Sequence, residues 1–213
     1  MEINLPDGSS KALESGSNGY DLAKSIGPGL AKSAVAVTIN GIQKDLSDEL
    51  PKDSSVSIIT IESDEGLEIM RHTLTAQVLA KAVKNLYPDS KLAIGPTIEN
   101  GFYYDVSTEI PISIEDLPEI ENEMKRILEK KSDIKKYLYS EEDAKKLFKD
   151  KGETFKTEII DDSGQTESFQ IYKNADEDFI DLCRGPHLPN LSFIGAFKLT
   201  KVSGAYWLSL IHI

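Results

Sequence analysis

The spacing of apolar residues changes near residue 62, and that change calls for two folded units in one chain. Before it, apolar residues come in short runs between turn residues, the pattern of strands. Ile3 and Leu5 alternate with polar neighbours, and Pro6-Asp7-Gly8 signals a turn. Residues 21–26 read as a short helix that Gly27-Pro28-Gly29 breaks, with a second helical turn from Leu30. Residues 34–39 read as a strand running into Asn40-Gly41, the strongest short hairpin signal, and residues 55–61 as a closing strand. The order predicts a small β-grasp-like unit over residues 1–62, closed by a linker at residues 62–66.

After the linker the period becomes helical. Leu67, Met70, Leu74, Leu79, Ala82, Val83 and Leu86 form one apolar stripe over residues 67–87, and Pro88 stops it. Residues 92–96 and 102–106 read as strands around a Gly-rich bend. A second helix is expected over residues 114–131, with Leu117, Ile120, Met124, Ile127 and Leu128 on one face. Ser140-Glu-Glu-Asp143 resembles a capping box for a third. Strands are expected at residues 155–160, 169–172, 179–182 and 196–202. Helices and strands in separate runs make residues 63–207 a larger α+β unit.

Composition narrows the function classes. The 213 residues carry 24 Lys plus Arg against 36 Asp plus Glu, a formal net charge of −12. That balance argues against non-specific duplex DNA binding, which needs clustered cations, but permits RNA contact through a local basic surface. A single cysteine excludes an internal disulfide framework and suits a reducing cytoplasm. No apolar run approaches the roughly 18 residues of a membrane span, and the N-terminus has no signal-peptide pattern.

Chemistry concentrates in Asp181-Leu-Cys183-Arg184-Gly185-Pro186-His187. A Gly-Pro turn between thiol and imidazole lets both enter one pocket. They can act as a nucleophile–base couple, bind a polar substrate edge, or simply pack; one Cys and one His are too few for a metal site. His72 stands near the start of the long helix without a second His one turn on, where Ala76 lies. In residues 94–105, Tyr104 and the neighbouring aromatics beside Glu99 and Asn100 read either as a wall that stacks on a base or ribose, or as a hairpin whose rings fill the core. Lys156 is either a phosphate contact or a solvent-exposed cation.

These segments resemble one family. Residues 1–62, with Ile26-Gly-Pro-Gly-Leu-Ala-Lys32 and Ile39-Asn-Gly41, look like the TGS domain that opens bacterial threonyl-tRNA synthetases. Residues 94–105 and 181–187 look like two signature stretches of that family's editing domain, and residues 197–207 follow in the expected order. The resemblance implies threonine–tRNA ligation with ATP in the complete enzyme, and hydrolysis of mischarged seryl-tRNA by the editing domain. It implies that His72, Lys156, Asp181, Cys183 and His187 line the editing pocket, with Gln77, Glu99, Asn100, Tyr104 and Arg184 on the substrate. The acceptor end of tRNA is the expected partner. ATP, magnesium, zinc and the homodimer interface are expected in a core that this chain lacks, so no cofactor, metal, DNA or membrane partner is expected here.

Two departures accompany the resemblance. The family pattern is His-x-x-x-His, whereas this helix reads His72-Thr-Leu-Thr-Ala-Gln77. Either Ala76 replaces the second His, or the segment carries an extra residue and Gln77 takes its place, with Thr73 then standing where the first belongs. The chain also ends in Leu208-Ser-Leu-Ile-His-Ile213, which reads as a non-native tail. A free-standing trans-editing deacylase and a non-catalytic tRNA-binding module are the alternative expectations.

Overall fold

The computed structural model describes residues 1–165, 168–174 and 179–204. The first unit contains β1 (Glu2–Asn4), β2 (Ser10–Ala12), α1 (Gly19–Ile26), α2 (Pro28–Ser33), β3 (Ala34–Ile39), β4 (Ile42–Asp45) and β5 (Val56–Thr60). β3 lies between β4 and β5, antiparallel to both, and β1 pairs with β2. Asn40 and Gly41 both take positive φ, 49° and 84°, as a two-residue hairpin turn matched to strand twist requires. Asn18 caps α1 and exchanges a reciprocal bond with Asp21. Ile3, Leu22, Leu46, Leu50 and Val56 close the core at no more than 2% exposure. Each such side chain contributes about 1.5–3 kcal/mol by leaving water. The unit is β-grasp-like, as its sequence predicts.

The second unit opens with α3 (Asp64–Thr73), which continues through a π-turn at Leu74–Leu79 into α4 (Ala80–Leu86). The π-turn closes i→i+5 hydrogen bonds in place of i→i+4 and is frequent at functional sites. The expected linker is therefore mostly helix. Ser63 caps α3 by accepting from the Gly66 N–H, and Gly66 lies so close to β5 that a Cβ would come within 2.0 Å of the Thr60 carbonyl oxygen.

Short strands β6 (Lys91–Leu92), β7 (Thr97–Ile98), β8 (Gly101–Phe102) and β9 (Val106–Ser107) follow. Next come α5 (Leu117–Glu129), β10 (Ile134–Tyr139), α6 (Glu141–Asp150), α7 (Thr154–Asp162), β11 (Phe169–Asn174) and β12 (Ile180–Leu182). β10, β11 and β12 form an antiparallel sheet in that order. Leu74, Val78, Ala82 and Val83 pack against Ile120, Met124 and Ile127 of α5. Val35, Ala36 and Ile59 of the first unit pack against Ile69 and Leu188 of the second, so the two units share an apolar contact.

Three sequence expectations need correction. Residues 155–160 form helix α7, because Lys156 and Ile160, four apart, both turn inward. The strand expected at residues 196–202 is not one. Phe197 and Leu199 pack on the helical core there, and the Leu199 N–H donates to Glu121 Oε1 at 2.7 Å, a side-chain substitute for a strand partner. β10 was not expected at all, since its lysines mask the alternation. Residues 205–207 and the tail at 208–213 lie outside the described residues. Among the described residues, no helix is long and apolar enough to cross a membrane.

Two glycines test this packing in opposite directions. Gly66→Ala should cost about 1–3 kcal/mol, because its Cβ strikes backbone. Gly29→Ala in α2 meets open space and should stabilise by about 0.5–1 kcal/mol through helix propensity. Urea unfolding of both variants checks the contrast.

Candidate active site

The helix beginning at Asp64 delivers His72 and Thr73 to one place, and the loop after β12 delivers Cys183 and His187 to the same place. The His72 and His187 rings stack, with centroids 4.6 Å apart and planes 13° from parallel. His72 Nε2 lies 2.8 Å from Cys183 Sγ. Cys183 Sγ also accepts the Gly185 N–H at 3.4 Å.

Thr73 decides the tautomer of His187. Its hydroxyl donates to the Ile69 carbonyl at 2.9 Å, and its oxygen accepts the Leu188 N–H at 2.9 Å. With its one hydrogen spent, it can only accept from His187 Nδ1, 3.1 Å away. His187 Nδ1 therefore carries the hydrogen, and Nε2 is left as a bare acceptor. That Nε2 is buried and has no hydrogen-bond partner among the described residues.

Burial governs the charges. It pushes the Cys183 thiol up to about 12, so the sulfur stays protonated at neutral pH. Burial lowers His187 well below the ordinary imidazole value, and neighbouring His72 adds to the effect. Burial also lowers His72, against a weaker opposing pull from Asp45. Both rings are neutral near pH 7 and able to accept a proton.

A second polar group forms part of the wall. Lys156 of α7 pairs with Asp181 of β12 at 2.6 Å, with side chains only 4% and 3% exposed. Tyr104 bridges them, accepting from Lys156 at 3.2 Å and donating to Asp181 at 3.3 Å. The Leu182 N–H donates to Asp181 Oδ1 at 2.8 Å. Burial raises the Asp181 carboxyl above its ordinary range while Lys156 opposes the shift. The solvated-cation reading of Lys156 thus fails: it is 3% exposed because it lies on the inward face of α7.

His72, Lys156, Asp181 and Cys183 line a cleft of about 330 Å³ with Ala76, Ala93, Ile94, Gly95 and Pro96, and with exposed Arg184 at its rim, while His187 lies buried behind His72 and Cys183. The structure thus brings together His72, Lys156, Asp181, Cys183, Arg184 and His187, with the Tyr104 hydroxyl on the buried pair. His72, Cys183 and His187 each offer a donor atom within 4.8 Å of the others, a nitrogen and sulfur set suited to a soft divalent cation. The fold supplies His72 from over a hundred positions away, so counting ligands within one loop underestimates the donor set.

Three expected substrate residues lie elsewhere. Gln77 is fully buried and does not line the cleft, and neither end of its amide has a partner among the described residues. The side chain one turn beyond His72 that does reach the cleft is Ala76. Glu99 and Asn100 sit exposed at the tip of the β7–β8 hairpin, where the Glu99 carbonyl accepts from Arg71. Sequence reasoning missed Tyr172 and Asp45, neither of which stands in a motif, and named Thr73 only as the alternative place of the first His in the family pattern. Tyr172 meets the His187 ring edge-on, with centroids 4.3 Å apart.

Known proteins share this sequence. The TGS domain model matches residues 1–60, and the model for the threonyl and alanyl tRNA synthetase second additional domain matches residues 170–205. The threonine–tRNA ligase of Oceanobacillus iheyensis is 46% identical over 207 residues, covering 97% of this chain and 32% of that protein. Those of Bartonella bacilliformis and Citrifermentans bemidjiense are 45% and 47% identical, again over 97% of this chain and over 31% and 32% of theirs. The chain spans about a third of the length of the curated relatives it matches. By these matches the chain is similar to the N-terminal third of threonine–tRNA ligases, with a TGS domain match followed by a second additional domain match.

Proposed function

We propose that the second unit hydrolyses the aminoacyl ester of mischarged tRNA, seryl in preference to threonyl. The observation that carries this reading is the uncharged, unpartnered His187 Nε2 directly behind His72 and Cys183, which line the cleft. The chemical need is general. A site built for threonine cannot reject the smaller serine by more than a few kcal/mol, because one methyl group is worth little in binding. A second site that admits serine and excludes the extra methyl supplies the missing discrimination.

In this mechanism a water bound at His187 Nε2 attacks the ester carbonyl. The imidazole takes the proton, and the Lys156 ammonium on the cleft wall faces the oxyanion that forms. Collapse of the tetrahedral intermediate breaks the bond to the terminal ribose oxygen. The imidazolium returns its proton to that oxygen, releasing serine and intact tRNA. Cys183 holds His72 in place as a neutral thiol, and Asp181 keeps Lys156 fixed. Arg184 at the rim suits a phosphate of the acceptor end. The close packing of Gly95, where a Cβ would come within 2.3 Å of the Tyr104 ring, keeps that wall from yielding to a larger side chain.

The same reading assigns threonine charging, ATP, magnesium, zinc and dimerisation to the two thirds of the relatives that this chain does not span. It places the protein in the cytoplasm with tRNA as its partner.

Two predictions follow from the cleft. The chain should deacylate seryl-tRNA much faster than threonyl-tRNA. His187→Ala should lower that rate by about 10²–10⁴-fold, the worth of a general base. Cys183→Ala should cost less, since a neutral thiol moves few protons near pH 7. Radiolabelled seryl-tRNA hydrolysis measures both, and a wild-type chain that binds tRNA but hydrolyses nothing would leave a binding module. The second prediction concerns the π-turn. Ala76→His should raise the rate, because position 76 lines the cleft, whereas Gln77→His should not. The reverse order would show that the helix presents position 77 instead.

A further inference from the structure

The loop that carries His187 rests on a residue of the other domain. Asp45 ends β4 of the TGS domain and is 7% exposed. Its Oδ1 accepts the main-chain N–H of His187 at 3.0 Å, across 142 positions of sequence. Its Oδ2 accepts the Tyr172 hydroxyl at 2.7 Å. Tyr172 then sets its ring edge-on against the His187 imidazole, with planes 71° apart. The same hydroxyl lies 2.0 Å from where a Cβ at Gly185 would stand, so the loop backbone sits directly on Tyr172. Lys136 pairs with Asp45 at 3.0 Å and with Asp48, which gives the buried carboxylate its counter-charge.

We propose that Asp45 of the TGS domain is a positioning residue for the cleft of the second domain. One carboxylate oxygen holds the His187 backbone, and the other holds the ring that meets the His187 imidazole. Together with the Thr73 bond to Nδ1, they fix the ring on which the proposed proton transfer depends. A base displaced by about 1 Å from productive geometry loses on the order of 10²-fold in rate. The TGS domain thereby contributes to the chemistry without touching the substrate. The rate effect rests on the hydrolytic reading above; the placement of His187 does not.

The test uses the whole chain with two readouts, steady-state seryl-tRNA deacylation and the side-chain ¹⁵N signals of His187. Asp45→Ala should lower kcat at least tenfold with KM within twofold, and should shift the His187 signals away from the single Nδ1–H tautomer. Asp45→Glu, which restores both acceptors on a longer arm, should recover part of each. Ile61→Ala loosens the apolar contact between the domains at another point. It should lower the melting temperature without moving kcat or the His187 signals. Should Asp45→Ala not fold, Tyr172→Phe cuts one link, keeps the ring, and should still shift the His187 signals. Wild-type kcat and wild-type His187 signals in Asp45→Ala, unchanged signals in Tyr172→Phe, or equal effects from Ile61→Ala would each overturn the proposal. A wild type without deacylase activity would defeat the hydrolytic reading, while the His187 signals would still decide the role of Asp45.

Discussion

The His187 ring is confined on every side that the structure describes. His72 stacks on its face, Tyr172 meets it edge-on, Thr73 takes its Nδ1 hydrogen, and Asp45 holds its backbone. The contacts come from three parts of the chain: the helix that carries His72 and Thr73, strand β11 and the end of β4. Thr73 can accept only because its own hydrogen is spent on the helix behind it. Tyr172 can approach only because position 185 lacks a Cβ. The cleft, the neutral imidazoles and the approach of the two domains all follow from seating this one ring.

Burial has a cost here that the site turns to use. An imidazole removed from water is held in its neutral form, which is the form a base needs. A thiol treated the same way is held protonated, which makes Cys183 a poor nucleophile and a good partner for His72. Lys156 and Asp181 face each other in the same buried wall, with Tyr104 between them. Removing either would strand a buried charge, a loss of about 3–5 kcal/mol in comparable pairs. One low-dielectric wall thus carries a fixed cation beside two uncharged bases, an arrangement that loop residues in water could not maintain.

Much of the fold was legible because its signals are local. Asn40-Gly41 demands a hairpin, Pro88 ends a helix, and Ser140 caps one, whatever surrounds them. What misled were segments whose identity is set by distant partners. Phe155-Lys-Thr-Glu-Ile-Ile160 has a short apolar run that suits strand or helix alike. Only the inward face of α7 against Asp181 and the sheet decides it. β10 is two-thirds lysine and tyrosine, yet pairs with β11 along its whole length. The site divides the same way. Asp181, Cys183 and His187 stand in one short segment and could be read together, whereas His72 and Lys156 joined them in one pocket only through the family resemblance. Asp45 reaches His187 across 142 positions and leaves no local trace, and the bond from Thr73, across 114 positions, is not implied by its place in the helix motif. The placement of Gln77 could not be read either, because an extra residue in a helix can shift the register or swell into a π-turn.

The account stands on a neutral His187 acting as the base, and the pH dependence of kcat for seryl-tRNA hydrolysis tests it most directly. A buried imidazole with a depressed pKa stays unprotonated as the pH falls through 6.5, the ordinary histidine value. After subtraction of uncatalysed ester hydrolysis, kcat should therefore hold level between pH 8 and pH 6.5 and fall only below that. The acid limb should vanish in His187→Ala, along with most of the rate. An acid limb centred at or above 6.5, or one that persists in His187→Ala, would contradict the account.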